Sequence, residues 1–315
     1  MLVWRTLMRS AVSNFLQGLH AELKCLLEQL LVALATLLPG RGYFYALRLL
    51  SHLHPLFVDL QPAANRLQVW LPGHEKSGAV LHGLALHRLM DMADFYLTLR
   101  HGARWFERHV HLKGDLPLAP TADFAAMMCT FHYGQGFWAL PFFKKAGWNC
   151  AFLHLPPPPV KEVPWGGRFA AWLGHKRIAQ VERLSGAPAI AVGGSMERMR
   201  TRFREERQAV LVMPDVPSNP EQPCLEIRLL GRRARFPAGA ISLAVSEGVP
   251  VYLYIMALDR QSGARHLRVQ GPIQGQTPEA LAGILAQCLE QALRNDPTAW
   301  HLWAWIDHFM YLEAH

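Results

Sequence analysis

From Ala122 onward, short apolar runs alternate with segments of helical spacing, and this constrains the fold more than any other feature of the chain. Residues 124–131, 149–155, 189–192, 209–213 and 251–256 read as strands. Residues 138–146, 168–184, 196–206, 238–247 and 278–294 read as helices. The punctuation agrees. Gly193 and Gly194 close one strand, Gly248 and Pro250 stop a helix, and the prolines at 156–159 make a stiff loop. Gln261, Ser262 and Gly263 read as a hairpin turn before a last strand at 266–269. Strand–helix alternation implies an α/β layer fold, a mixed sheet flanked by helices. Residues 1–114 read as an N-terminal helical, membrane-associating region and 115–315 as the α/β domain, the two packing as one compact unit.

Within the helical region, Leu16, Leu19, Leu23, Leu26, Leu27, Leu30, Leu34 and Leu37 fall on one stripe. Two readings of that stripe stay open: a helix lying in a bilayer interface, or a helix covering the core. The longest apolar stretch, 25–38, contains Glu28 and Gln29 and falls short of the about 20 apolar residues a membrane span needs. No cleavage site of the signal-peptide kind follows it. Arg88, Arg100, Arg104 and Arg108 read as a solvated helix face or, beside an anionic membrane, as contacts to its headgroups. A formal net charge of +8 points to an anionic partner. Only 18% of the residues are charged, which suits a lipid surface better than a nucleic acid. The five cysteines form no C-x-x-C pair and read as free thiols.

The segment that carries chemistry is Phe131-His132-Tyr133-Gly134-Gln135-Gly136-Phe137-Trp138, at the end of the first strand of the α/β region. An imidazole has an ordinary pKa near 6.5 and can take a proton from an attacking hydroxyl or amine at neutral pH. Backbone N–H groups of a glycine-rich turn can stabilise the oxyanion that follows.

This strand–His–aromatic–Gly–Gln pattern resembles the H-F-G-N-W-E motif of the lipid A late acyltransferases, which belong with the glycerolipid acyltransferases and their H-x-x-x-x-D/E dyad. Further blocks resemble that family in the same order. They are 197–217 with its Met-Pro-Asp-Val-Pro turn, 230–250, and the closing 297–303 segment with Trp300 and His301. The resemblance implies a glycerolipid-acyltransferase-like fold at the cytoplasmic face of a bacterial inner membrane, peripherally bound. It implies transfer of a fatty acyl group from acyl-carrier protein or acyl-CoA to a hydroxyl or amine of a lipid acceptor. His132 would be the base, Tyr133, Gly134 and Gln135 would line the substrate, and no cofactor beyond the acyl donor would be needed.

The chain departs from the family at one position. The motif acid stands five residues after the histidine, and here that residue is Phe137. Three readings follow. A carboxylate from elsewhere takes its place, with Asp215 as first candidate and Asp123 as a poorer one. Or His132 acts alone or with a backbone carbonyl. Or the protein is a non-catalytic relative that binds lipid or a partner enzyme. Arg228, Arg232, Arg233 and Arg235 form the densest cationic cluster, read either as a solvated loop or as a phosphate clamp. His101, His109 and His111 lack metal spacing, and no metal is expected. Ser185 and Ser242 lack the G-x-S-x-G setting of a serine hydrolase. Gly193-Gly194-Ser195 reads as a helix cap rather than an anion cradle.

Overall fold

In a computed structural model, which describes residues 2–73, 76–114, 124–217, 222–273 and 277–309, the apolar runs become a mostly parallel mixed sheet flanked by helices. The strands are β1 (Val110–Lys113), β2 (Ala126–Cys129), β3 (Cys150–His154), β4 (Ile190–Ala191), β5 (Ala209–Val212), β6 (Cys224–Leu229), β7 (Arg232–Pro237), β8 (Val251–Leu258) and β9 (Arg265–Ile273). The helices are α1 (Leu2–Ala35), α2 (Gly42–Leu50), α3 (Gln61–Trp70), α4 (Ser77–Arg100), α5 (Ala103–His109), α6 (Leu140–Lys145), α7 (Arg168–Ser185), α8 (Ser195–Arg204), α9 (Ala238–Ser246) and α10 (Pro278–Asn295). Among the described residues the main sheet runs β1-β9-β8-β2-β5-β3-β4. Its pairs are parallel except β8 with β9.

The central strands β2 and β5 are buried along their whole length, as parallel strands covered on both faces must be. Their alternate residues feed two cores. Met127, Cys129, Val210 and Val212 pack with α9 and α10 on one face. Ala126, Met128, Ala209 and Leu211 pack with α2, α4 and α6 on the other.

Two elements differ from the sequence reading. The stretch before Gly114 supplies a strand as well as helices: β1 pairs with β9, so the N-terminal region reaches into the sheet. The arginine cluster lies on a separate antiparallel hairpin, β6–β7, not on a loop.

The long first helix is inside out. Its leucines at 16, 23, 26, 27, 30 and 34, and Leu37 just beyond it, are exposed, while Glu22, Glu28 and Gln29 are buried. Each buried polar group has a partner, which is what makes the burial affordable. Glu22 accepts the Arg168 and Phe169 N–H groups at the start of α7, at 2.7 and 3.2 Å, capping that helix across the fold. Glu28 pairs with Arg88 of α4 through both guanidinium nitrogens. Gln29 accepts from the Tyr96 hydroxyl at 2.8 Å. The expectation that Arg88 belongs to a solvated face is therefore corrected, because it neutralises a buried glutamate. The alternative that the leucine stripe covers the core fails as well.

Candidate functional site

β2 and β5 lie side by side and parallel, with Cys129 opposite Val212. Three residues beyond these partners stand His132 and Asp215. The two therefore reach the same level past the carboxyl ends of neighbouring strands, where ligands of open parallel sheets bind. Thr130 carries the pairing onward, its N–H donating to the Val212 carbonyl at 3.1 Å and its hydroxyl to the Tyr254 carbonyl at 2.9 Å.

Asp215 has 0% of its side chain exposed and His132 has 29%. The His132 Nδ1–H donates to Asp215 Oδ1 at 3.1 Å, and the His132 backbone N–H donates to Oδ2 at 2.8 Å. The Trp300 indole N–H completes the set at 2.9 Å from Oδ2. A carboxylate only accepts, so the hydrogen on the ring sits at Nδ1 and the Nε2 lone pair is left for an incoming proton. Burial disfavours the imidazolium, but the Asp215 charge and its hydrogen bonds outweigh this, and the His132 pKa is raised above its ordinary value.

The loop after His132 is fixed on both sides. Gly134 has φ +65°, and a Cβ there would meet the Met256 carbonyl oxygen at 1.9 Å, so only glycine fits. The Gly134 N–H donates to the Ala299 carbonyl at 2.9 Å, and the His301 N–H to the His132 carbonyl at 2.9 Å. His301 Nε2 donates to the Gly134 carbonyl at 3.2 Å. The closing Trp300–His301 segment thus laces the histidine loop in place.

These contacts occupy polar groups of the three residues expected to line the substrate. The Gly134 N–H and the Gln135 N–H are already engaged, the latter with the Met256 carbonyl at 3.2 Å. Gln135 is fully buried and its amide donates to His87 Nδ1 at 3.1 Å, while His87 Nε2–H donates to Asp296 at 2.9 Å. Tyr133 is buried too, its hydroxyl donating to the Ala292 carbonyl at 3.1 Å. Gly136 and Phe137, which open a 3-10 turn, have N–H groups with no acceptor among the described residues, and they are the donors the loop keeps free.

Phe137, at the position of the family's acid, lies under Arg177, whose guanidinium is 5.1 Å from the ring centroid. Arg177 pairs with Asp91 of α4 at 2.8 Å. Burial disfavours the Asp91 anion, but Arg177 and then His301 and His132 overcome this and hold its pKa low. Asp91 and Arg177 were not singled out from the sequence. Each is one charge on a long helix, with no local mark of its partner.

The four arginines stand apart from this pair. Arg233 pairs with Glu226 at 2.7 Å, and Arg232 stacks on Trp70 at 4.1 Å. The Arg235 N–H donates to the Phe309 carbonyl at 2.9 Å, and Arg228 faces Arg233 across the hairpin. No hydrogen bond or ion pair joins any of the four to His132 or Asp215 among the described residues. Asp123 lies outside the described residues. Among the described residues no cluster of three or more histidine, cysteine, aspartate or glutamate side chains could hold a metal ion. No protein-family model matches the chain, and no curated protein does.

Proposed function

We propose that the protein is a membrane-surface acyltransferase of the glycerolipid-acyltransferase kind, moving a fatty acyl group from acyl-carrier protein or acyl-CoA to a hydroxyl or amine of a lipid acceptor. The observation that carries this reading is a half-open imidazole whose Nδ1 is fixed by a wholly buried carboxylate at the carboxyl ends of two parallel strands. Asp215 does here what the motif acid does in the family the sequence resembles. It holds the tautomer and steadies the imidazolium without itself taking the proton.

In the reaction, His132 Nε2 takes the proton of the acceptor hydroxyl or amine. The freed lone pair attacks the thioester carbonyl, forming the new C–O or C–N bond. The tetrahedral oxyanion collapses, the C–S bond breaks, and the thiolate takes up the proton from His132. The free Gly136 and Phe137 N–H groups are the candidate oxyanion donors.

The outward leucine face of α1 supports the membrane setting. An exposed apolar stripe of that length, in a chain of net charge +8, suits burial in the boundary of an anionic bilayer. No helix among the described residues is long and apolar enough to cross a membrane. The cytoplasmic face of a bacterial inner membrane belongs to the same proposal.

The test uses purified protein, anionic phospholipid vesicles and either acyl donor, with acylated products read by mass spectrometry. The wild type is expected to acylate a lipid or added acceptor, and His132→Ala to lose that product while still binding vesicles. Vesicle binding without product in the wild type would leave a lipid-binding relative in place of an enzyme. Full activity in His132→Ala would remove the base from the mechanism.

A further inference from the structure

A cavity of about 180 Å³ lies between the sheet and α10, with Tyr133, the residue after His132, in its wall. Its floor follows from strand pairing. Ala257 pairs with His266, Ile255 with Arg268 and Leu253 with Gln270 across β8 and β9. β1 extends two of these rungs, with His111 opposite His266 and Lys113 opposite Arg268. Side chains that are direct partners share one face, so this face runs from apolar on β8 to cationic on β9 and β1. The roof is one face of α10, where Cys288, Gln291, Ala292 and Asn295 follow helical spacing.

Lys113, Arg268 and His266 line the cavity and, among the described residues, no acidic side chain does, the acidic charge acting on His266 being that of Asp259. Some cations elsewhere meet carboxylates, as Arg88, Arg177, Arg204, Arg233 and Arg294 do, and Arg232 instead stacks on Trp70. Arg268 and Lys113 have neither an ion pair nor a hydrogen bond among the described residues. His266 Nδ1 is buried with no hydrogen-bond partner. Unanswered cations over an apolar floor define a ligand with one anionic end and one short apolar body.

We infer that this cavity is a second binding site, separate from His132, for a small amphiphilic carboxylate whose charge meets Arg268 and Lys113 and whose carbon chain lies on Leu253, Ile255 and Ala257. The cavity has room for a body of about eight heavy atoms, somewhat more than an aromatic ring fills. The His266 pKa is lowered by burial and by Lys113 and His111 against the opposing Asp259 charge, and an anion seated there reverses part of that shift. The site does not depend on the acyltransferase reading, since none of its charged groups touches His132 or Asp215.

The experiment titrates the full-length protein with hexanoate, hexanol and inorganic phosphate, followed by calorimetry and by the ring resonances of His266. Hexanoate is expected to bind and to raise the His266 pKa, with hexanol and phosphate each at least about tenfold weaker, the factor that loss of one charged hydrogen bond brings. R268Q/K113Q, both exposed positions, should lose hexanoate by a similar factor, and Ala257→Leu should block it by filling the floor. Hexanol binding as well as hexanoate would remove the cationic end from the recognition. Phosphate binding as well would remove the apolar floor. Loss of hexanoate binding in His132→Ala would merge this cavity with the catalytic site, and no binding by the wild type would end the proposal.

Discussion

Asp215 and Asp94 begin alike. Each aspartate is fully buried, each accepts a tryptophan indole N–H, and each faces a cationic or protonatable partner. They differ in where the partner leads. Asp215 fills both oxygens, from His132 twice and Trp300 once, and its imidazole partner opens to solvent. Asp94 carries Trp138 and Arg265 on Oδ1 and leaves Oδ2 without a partner. Its partner is buried too. The Arg265 guanidinium sits 3.4 Å from the Trp138 ring centroid and donates to the Tyr43 hydroxyl at 2.8 Å. Burial pushes the Asp94 carboxyl up to about 7 in spite of Arg265. A buried carboxylate with a donor on each oxygen can hold a reactive group at the surface. One that is half satisfied ties helices to the sheet and stands at the limit of remaining charged.

The largest break in that comparison should come from Asp215→Asn. In a serine protease the equivalent change costs about 10⁴ in kcat, roughly 5.5 kcal/mol of barrier, because the imidazole takes the wrong tautomer. A loss of that order in acyl transfer is expected here, measured as kcat with the vesicle assay. The wild-type rate should rise with pH through a midpoint above 6.5, because His132 must be neutral to act and its pKa is raised. In Asp215→Asn the midpoint should move to lower pH. Stability runs the other way with pH. The raised pKa contributes stability below about 6.5 that is lost as pH climbs through the folded value. A midpoint indifferent to Asp215 would mean that the carboxylate does not steady the imidazolium.

The second break belongs to the other aspartate. Arg265→Met removes the cation from a buried pair and should lower unfolding stability by about 3–5 kcal/mol, read from denaturant midpoints. The Asp94 pKa lies above its unfolded value, so the folded state binds this proton more tightly and ionisation counts against folding as pH rises from about 4 to 7. The deficit of the variant should therefore be larger at pH 8 than at pH 5. Asp94→Asn in the same background should recover part of it. An unchanged midpoint in Arg265→Met would show that the pair contributes nothing net.

The two aspartates were not equally legible. Asp215 could be read because it follows a strand in a proline-bounded turn that resembles one of a known family, whereas the parallel pairing of β2 and β5 that brings it to His132 is visible only in the structure. His132 stood out among the histidines only through the resemblance of its motif. The orientation of Gln135 could not be read: its side chain turns inward to His87, which in turn meets Asp296, far away along the chain. The polarity of α1 was hidden in another way. The leucine stripe is plain in the sequence, but the inward face was decided by partners on α4 and α7 that no local pattern reveals. The β6–β7 hairpin was in view and missed. Leu225, Ile227 and Leu229 alternate with polar residues at the period of a strand, but the surrounding arginines drew the reading toward a loop.

The smallest effects sharpen the comparison most, because Trp300 and Trp138 give the two aspartates the same indole hydrogen bond. Trp300→Phe and Trp138→Phe each remove one donor from a buried carboxylate, and each should cost about 1.5–3 kcal/mol of unfolding stability. Only Trp300→Phe should change the acyl-transfer profile. With one donor gone, the Asp215 anion is less stabilised by hydrogen bonds and holds the imidazolium more firmly, so the His132 pKa rises further. The midpoint of the rate should then move to higher pH, opposite in sign to Asp215→Asn. Trp138→Phe should leave that midpoint where it is, because Asp94 leads to Arg265 and not to a group that gains or loses a proton in the reaction. Shifts of the same sign in Trp300→Phe and Asp215→Asn would mean that the indole acts on His132 through packing rather than through the carboxylate. A midpoint shift in Trp138→Phe would mean that the two buried pairs are electrically one system, and the distinction between a holding carboxylate and a tying one would fall.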